Sequence, residues 1–133
     1  MRKGYKAMLD EAMQAIVTLT PEQAAERYNK PDVVFVDIRD PRELERDGMI
    51  PGAFHATRGM LEFWIDPESP YHKPVFAEDK QFIFFCAGGL RSALATKTAL
   101  DMGLDKLAHI EGGFGAWKKA GLPVAEWKPR EKK

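Results

Sequence analysis

The chain has 133 residues, 44% of them apolar and 11% aromatic, with 20 basic and 20 acidic side chains. That length and apolar content suit one domain with one core, and a formal charge of zero provides no net field to favour nucleic acid or an anionic membrane surface. The one cysteine has no partner for an internal disulfide, which suits a reducing compartment and leaves no resolving thiol within the chain.

In chain order, residues 3–16 carry Met8, Ala12, Met13 and Ile16 near helical spacing with charges between them, the pattern of a short amphipathic helix packed on a core as an extension. Asp10 and Glu11 interrupt the apolar run that a leader peptide would need. No stretch approaches the roughly 20 apolar residues that span a bilayer, so a cytoplasmic protein is expected. Thr20, Pro21 and Glu22 read as a helix start, because threonine caps, proline is tolerated in the first turn and a carboxylate favours it. That helix is expected to run to about Tyr28, where Asn29, Lys30 and Pro31 break it. VVFVDI (33–38) and QFIFFCA (81–87) are β-branched and aromatic runs typical of strands covered on both faces.

Between them, ESPYHKPVFAEDK (68–80) has turn signals and little periodicity and is expected to cross the surface as a loop. After the second strand, RSALATKTALDMG reads as a helix capped by Gly103; KLAHIEGG (106–113) reads as a third strand, and FGAWKKAGLPV as a closing helix ended by Gly121 and Pro123. Strands alternating with helices imply an α/β domain with a central, mostly parallel sheet flanked by helices. Such sheets place ligands at the carboxyl ends of their strands, and Cys86 stands at one. KPREKK (128–133) is expected to be a solvated, disordered tail rather than a binding arm.

A cysteine at the end of an apolar run is often only buried. The residues after Cys86 favour chemistry instead. Gly88 and Gly89 allow a turn that points its amides inward, and a helix beginning near Arg91 adds its positive end to the same spot. An anion cradle of this kind favours the thiolate, which is the nucleophilic form, and its amides can also hold an anionic sulfur or oxyanion brought to it. Ala87, Gly88, Gly89, Leu90, Arg91 and Ser92 are therefore the candidate substrate-binding loop around a catalytic Cys86. Arg91 either supplies a fixed charge or braces the loop against a carboxylate.

CAGGLRS resembles the active-site loop of the rhodanese-like sulfurtransferases. VDIRDPRELERDGMIPGAFHA (36–56) is similar to that family's upstream signature, and IEGGFGAWKKAGLPV (110–124) to its C-terminal Gly-Gly-x-x-x-Trp element, so the likeness covers most of residues 19–124. It implies a three-layer rhodanese-like domain over 19–127 behind an extension at 1–18. It also implies transfer of a sulfane sulfur from a donor such as thiosulfate, through a Cys86 persulfide, to a thiol or cyanide acceptor, a protein thiol included, with no metal or organic cofactor. Asp37 and Arg39 would brace the neighbouring loops. Met49 stands where the family usually has a histidine regarded as structural.

Cys86 to Arg91 inclusive makes a six-residue ring, one shorter than in phosphatases that share the architecture. The narrower circle favours sulfur over phosphate. A regulatory binding module, a phosphatase or arsenate reductase, and a redox sensor working through sulfenic acid are the alternatives. Arg58 is a further candidate to reach an anionic donor, and Phe54, Phe63 and Trp64 could wall an acceptor site, although an aromatic core explains them as well. His55, His72 and His109 lack metal-ligand spacing and are expected to be ordinary surface or packing residues, as Gly112, Gly113 and Trp117 are expected to mark close packing.

Overall fold

In a computed structural model that describes residues 1–128, the three expected strands form the middle of a sheet. They are β2 (Val33–Asp37), β4 (Gln81–Phe85) and β5 (Leu107–Ile110). Two-residue strands at the edges, β1 (Thr18–Leu19) and β3 (Phe54–His55), complete the order β1-β5-β4-β2-β3, with every pairing parallel. The edge strands are too short to show any alternation in sequence. Of the expected basic tail, residues 129–133 lie outside the described residues.

Side chains on successive strand residues point to opposite faces, and β4 divides its run accordingly. Phe82 and Phe84 join Val36, Leu61, Ala95 and Ala99 in one buried cluster that also takes in Cys86, while Ile83 and Phe85 join Phe35, Ala108, Ile110 and Trp117 in the other. The first cluster is covered by α4 (Leu61–Ile65) and α5 (Leu90–Met102), the second by α2 (Pro21–Ala25) and α6 (Gly113–Lys119). The expected three-layer α/β architecture is thus the observed one.

Thr20 caps α2 by accepting from the Gln23 amide, while Gln23 returns a bond to the Thr20 amide. This helix is shorter than expected. It ends at Ala25, and turns lead to Asn29, which takes a left-handed φ of 63°. Asp40 caps α3 (Pro41–Asp47) in the same reciprocal way with Glu43, an arrangement whose loss typically costs about 1 kcal/mol. The N-terminal helix α1 (Tyr5–Ala15) packs along α5.

The stretch 68–80 is not merely a surface loop. A 3-10 turn over Pro74–Ala77 drives Phe76 into the core, 5.8 Å from the Phe54 ring and 5.4 Å from that of Phe82. Trp64 packs on Phe54 at 6.1 Å, so both belong to the margin of the core, and Phe63 stands exposed beside Tyr71. The aromatic core, rather than an acceptor wall, accounts for Phe54 and Trp64, and Phe63 belongs to the surface. Met49 is held through its backbone, exchanging two 2.8 Å hydrogen bonds with Ala125, so its position does not depend on the side chain.

Candidate active site

Cys86 follows directly on β4 and is 1% exposed. Its Sγ accepts from the amide of Gly89 at 3.1 Å and from that of Ser92 at 3.4 Å. The turn that aims these amides requires Gly89, whose φ is +101° and whose missing Cβ would lie 3.3 Å from the Gly112 nitrogen. Gly88 has no such requirement: its φ is unexceptional and nothing lies within 4 Å of the missing Cβ. The expectation that both glycines shape the turn therefore narrows to one.

A second helix start holds the loop from behind. The first turn of α6 directs the amides of Phe114 and Gly115 at the carbonyls of Cys86 and Ala87, at 2.8 and 3.1 Å. That approach depends on Gly113, where a Cβ would collide with the Cys86 carbonyl. Helix α5 thus contributes amides to the sulfur while α6 occupies the loop carbonyls. The peptide groups are arranged before any ligand arrives.

Arg91 braces the loop, the second of the two roles expected for it. Its guanidinium forms a two-pronged pair with Glu43 at 2.9 and 2.8 Å, tying the start of α5 to α3. The Arg91 hydrogen bond is the largest influence on Glu43, whose pKa is held down at about 2. Arg91 is raised in turn, chiefly by its bond to Glu43, with smaller contributions from Cys86, because the guanidinium also lies within electrostatic reach of the sulfur. Leu90, between the cradle and this pair, is 60% exposed.

Asp37 and Arg39 form a fully buried ion pair, with Nε and Nη2 of Arg39 reaching the carboxylate at 3.0 and 2.7 Å. Nη2 also donates to the Gly48 carbonyl at 2.9 Å, the guanidinium carbon lies 4.1 Å from the centre of the Phe114 ring, and the Arg39 carbonyl accepts from His55 Nε2 at 2.6 Å. The pair therefore connects the end of β2 to the turn before Met49 and to α6. Arg58 pairs with Glu62 at 2.7 Å and shares with Arg91 a groove of about 380 Å³. None of Phe54, Phe63 and Trp64 lines that groove.

His109 departs from its expected role as an ordinary packing residue. It is 2% exposed, with Nδ1 3.1 Å from Ser92 Oγ and Nε2 3.0 Å from Thr18 Oγ1. Ser92 Oγ donates to the Gly89 carbonyl at 3.3 Å, so Nδ1–H of His109 supplies the proton between ring and hydroxyl, and Nε2 accepts from Thr18. Burial pushes the imidazole pKa down, in keeping with this neutral form. The histidine holds Ser92, whose amide bonds the sulfur. Sequence reasoning misses Glu43 and His109 as members of the site because their partners lie 48 and 17 residues away. Among the described residues no group of three or more His, Cys, Asp or Glu side chains could hold a metal ion, and the cradle's donors suit an anion.

A family model for the rhodanese-like domain matches residues 20–120. A solved structure from Rhodopseudomonas palustris, described as a protein of unknown function and possible tyrosine phosphatase, is 66% identical; the match covers 94% of this chain and 96% of that one, with a TM-score of 0.90. The polysulfide-sulfur transferase homodimer of Wolinella succinogenes is 31% identical, over 91% of this chain and 86% of its own, with a TM-score of 0.69. An uncharacterised Synechocystis protein is 30% identical over 115 residues, 86% of this chain, and the chain spans 59% of the length of that curated relative.

Proposed function

The chain belongs to the rhodanese-like domain family, and from that premise we propose that it is a sulfurtransferase with Cys86 as the nucleophile. The observation that carries the reading is the seat of the sulfur: a single thiol at the end of a parallel strand, bonded by the amide of Gly89 within a six-residue loop and by that of Ser92 directly after it. Backbone donors fixed in advance stabilise negative charge without reorganising during the reaction. With thiosulfate, the Cys86 thiolate attacks the sulfane sulfur, the donor's S–S bond breaks, and sulfite leaves with the bonding pair. The terminal sulfur of the persulfide so formed is an anion for which the cradle is built. An acceptor thiolate or cyanide then attacks that sulfur, and the bonding pair returns to Cys86 Sγ.

The name carried by the Rhodopseudomonas palustris protein raises phosphate-ester hydrolysis as a second reading. Two features weigh against it. Four residues separate Cys86 from Arg91, which leaves a small ring, and Arg91 is engaged by Glu43 rather than free to clamp a bound phosphate. The two reactions are compared by assaying the purified protein for thiocyanate formation from thiosulfate and cyanide and for hydrolysis of an aryl phosphate. Thiocyanate formation without hydrolysis is expected; hydrolysis without sulfur transfer would reverse the assignment.

A further inference from the structure

Thr18 and His109 stand in register across the parallel pair of β1 and β5, and Ser92 reaches the same imidazole from the first turn of α5. Three hydrogen bonds run in series. Thr18 Oγ1 lies 3.0 Å from Nε2, Nδ1 lies 3.1 Å from Ser92 Oγ, and Ser92 Oγ donates to the Gly89 carbonyl at 3.3 Å. Their direction is fixed from the outer end. The other acceptor within reach of the Thr18 proton is the Met13 sulfur at 3.9 Å, a weak one, so the proton goes to Nε2. A neutral ring that accepts at Nε2 carries its own proton on Nδ1, and Ser92 then sends its proton to Gly89. Among the described residues no charged side chain bonds the ring, so the two hydroxyls set the tautomer.

The inner end of this chain is the seat of the sulfur. Gly89 and Ser92 are the two residues whose amides bond Cys86 Sγ, at 3.1 and 3.4 Å. The Ser92 side chain therefore clamps one sulfur donor to the other, and His109 decides which way the hydroxyl of that clamp points.

We propose that His109 and Thr18 are positioning residues for the sulfur transfer: Thr18 selects the histidine tautomer, the histidine turns Ser92 towards Gly89, and both amides are thereby held on the sulfur. This role rests on the sulfurtransfer reading and adds two residues to it. Thr18 precedes the residues matched by the family model, so the segment ahead of the domain takes part in setting its reactive centre. Neither residue bonds the sulfur, and the effect is one of placement. Placement matters because preorganised donors stabilise charge only where they are aimed, and a displacement of about 1 Å can cost about a hundredfold in rate.

Thr18→Val removes the hydroxyl while keeping a branched side chain that suits a strand, and Thr18→Ser restores the hydroxyl. In the native protein, long-range proton–nitrogen NMR should find the His109 proton on Nδ1. Thr18→Val should move a measurable share of the ring to the Nε2–H form, in which Nδ1 draws the Ser92 proton away from the Gly89 carbonyl. The amide signals of Gly89 and Ser92 should shift with it, and sulfur loading from thiosulfate should slow roughly threefold to tenfold, the scale of one lost hydrogen bond. Thr18→Ser should return all three readouts close to native. A second pair separates the two ends of the ring: His109→Asn, whose amide stands near Nδ1, should keep more of the loading than His109→Gln, whose amide stands near Nε2. Native tautomer and native loading in Thr18→Val would overturn the assignment. So would a Thr18→Ser protein as slow as Thr18→Val, since size rather than the hydroxyl would then matter. If the NMR signals move as expected but the native protein takes no sulfur from thiosulfate, the positioning chain stands and the sulfurtransfer reading falls.

Discussion

Arg91 is paired with Glu43, whose carboxylate absorbs most of its charge, and stands directly before Ser92, whose amide bonds the Cys86 sulfur. Removing Arg91 should therefore do more than delete a cation, because Glu43 would lose the partner that holds its pKa down and, still ionised at neutral pH, be left unpaired close to where an anionic donor must arrive. Arg91→Ala is expected to slow the thiosulfate half-reaction at least about tenfold, the scale of a charge-assisted interaction of roughly 1.5 to 3 kcal/mol. Adding Glu43→Gln should restore part of the rate. Rapid-mixing measurement of sulfur loading on the two single variants and the double variant checks this; strictly additive losses would mean that the pair does not act as a unit. Of these two residues only one is legible in the sequence. Arg91 stands in the loop after Cys86, whereas Glu43 is visible only as a position in α3, and its contact spans 48 residues. His109 is hidden for the same reason, since nothing in KLAHIEGG announces a serine at the start of another helix.

At the scale of elements, the site consists of two helix starts meeting at one strand end, with α5 bonding the sulfur and α6 bonding the carbonyls behind it. Lengthening the turn should separate those tasks. With one glycine inserted between Gly89 and Leu90, the α6 contacts can persist while the Gly89 and Ser92 amides no longer both reach one sulfur at 3.1 and 3.4 Å. Sulfur loading from thiosulfate should fall, and a larger tetrahedral oxyanion should bind better, as read by its inhibition of the remaining turnover. Full retention of loading would remove loop size as the selector between sulfur and phosphate. The elements themselves are unevenly readable. Strands β2 and β4 declare themselves as apolar runs, β5 as a shorter one interrupted by His109, and the start of α2 through its cap. The edge strands have two residues each, and the turn over Pro74–Ala77 has no period to detect. In both cases tertiary packing settles what local pattern could not.

For the whole molecule, one buried histidine and one partly exposed ion pair predict how stability responds to acid. His109 has a folded pKa below its ordinary value of about 6.5 because burial disfavours the charged ring, so the unfolded chain binds that proton more tightly. The contribution is complete above about pH 6.5 and is lost as pH falls toward the folded value. Glu43, depressed to about 2 chiefly by its Arg91 hydrogen bond, contributes above its ordinary value of 4.5 and loses that contribution as pH falls toward about 2. Denaturant midpoints across pH should therefore fall in two windows. The upper one should flatten in His109→Gln and the lower one in Glu43→Gln; an unchanged profile in either variant would remove that group from the account. The carboxyl end of β4, where Cys86 sits, is the proposed centre of function. The most direct test of that claim is the intact mass of the protein after incubation with thiosulfate, measured beside Cys86→Ser. One added sulfur on the native chain, removed by cyanide and absent from the folded variant, is the predicted result. A native mass that stays unchanged, or the same added sulfur on Cys86→Ser, would contradict it.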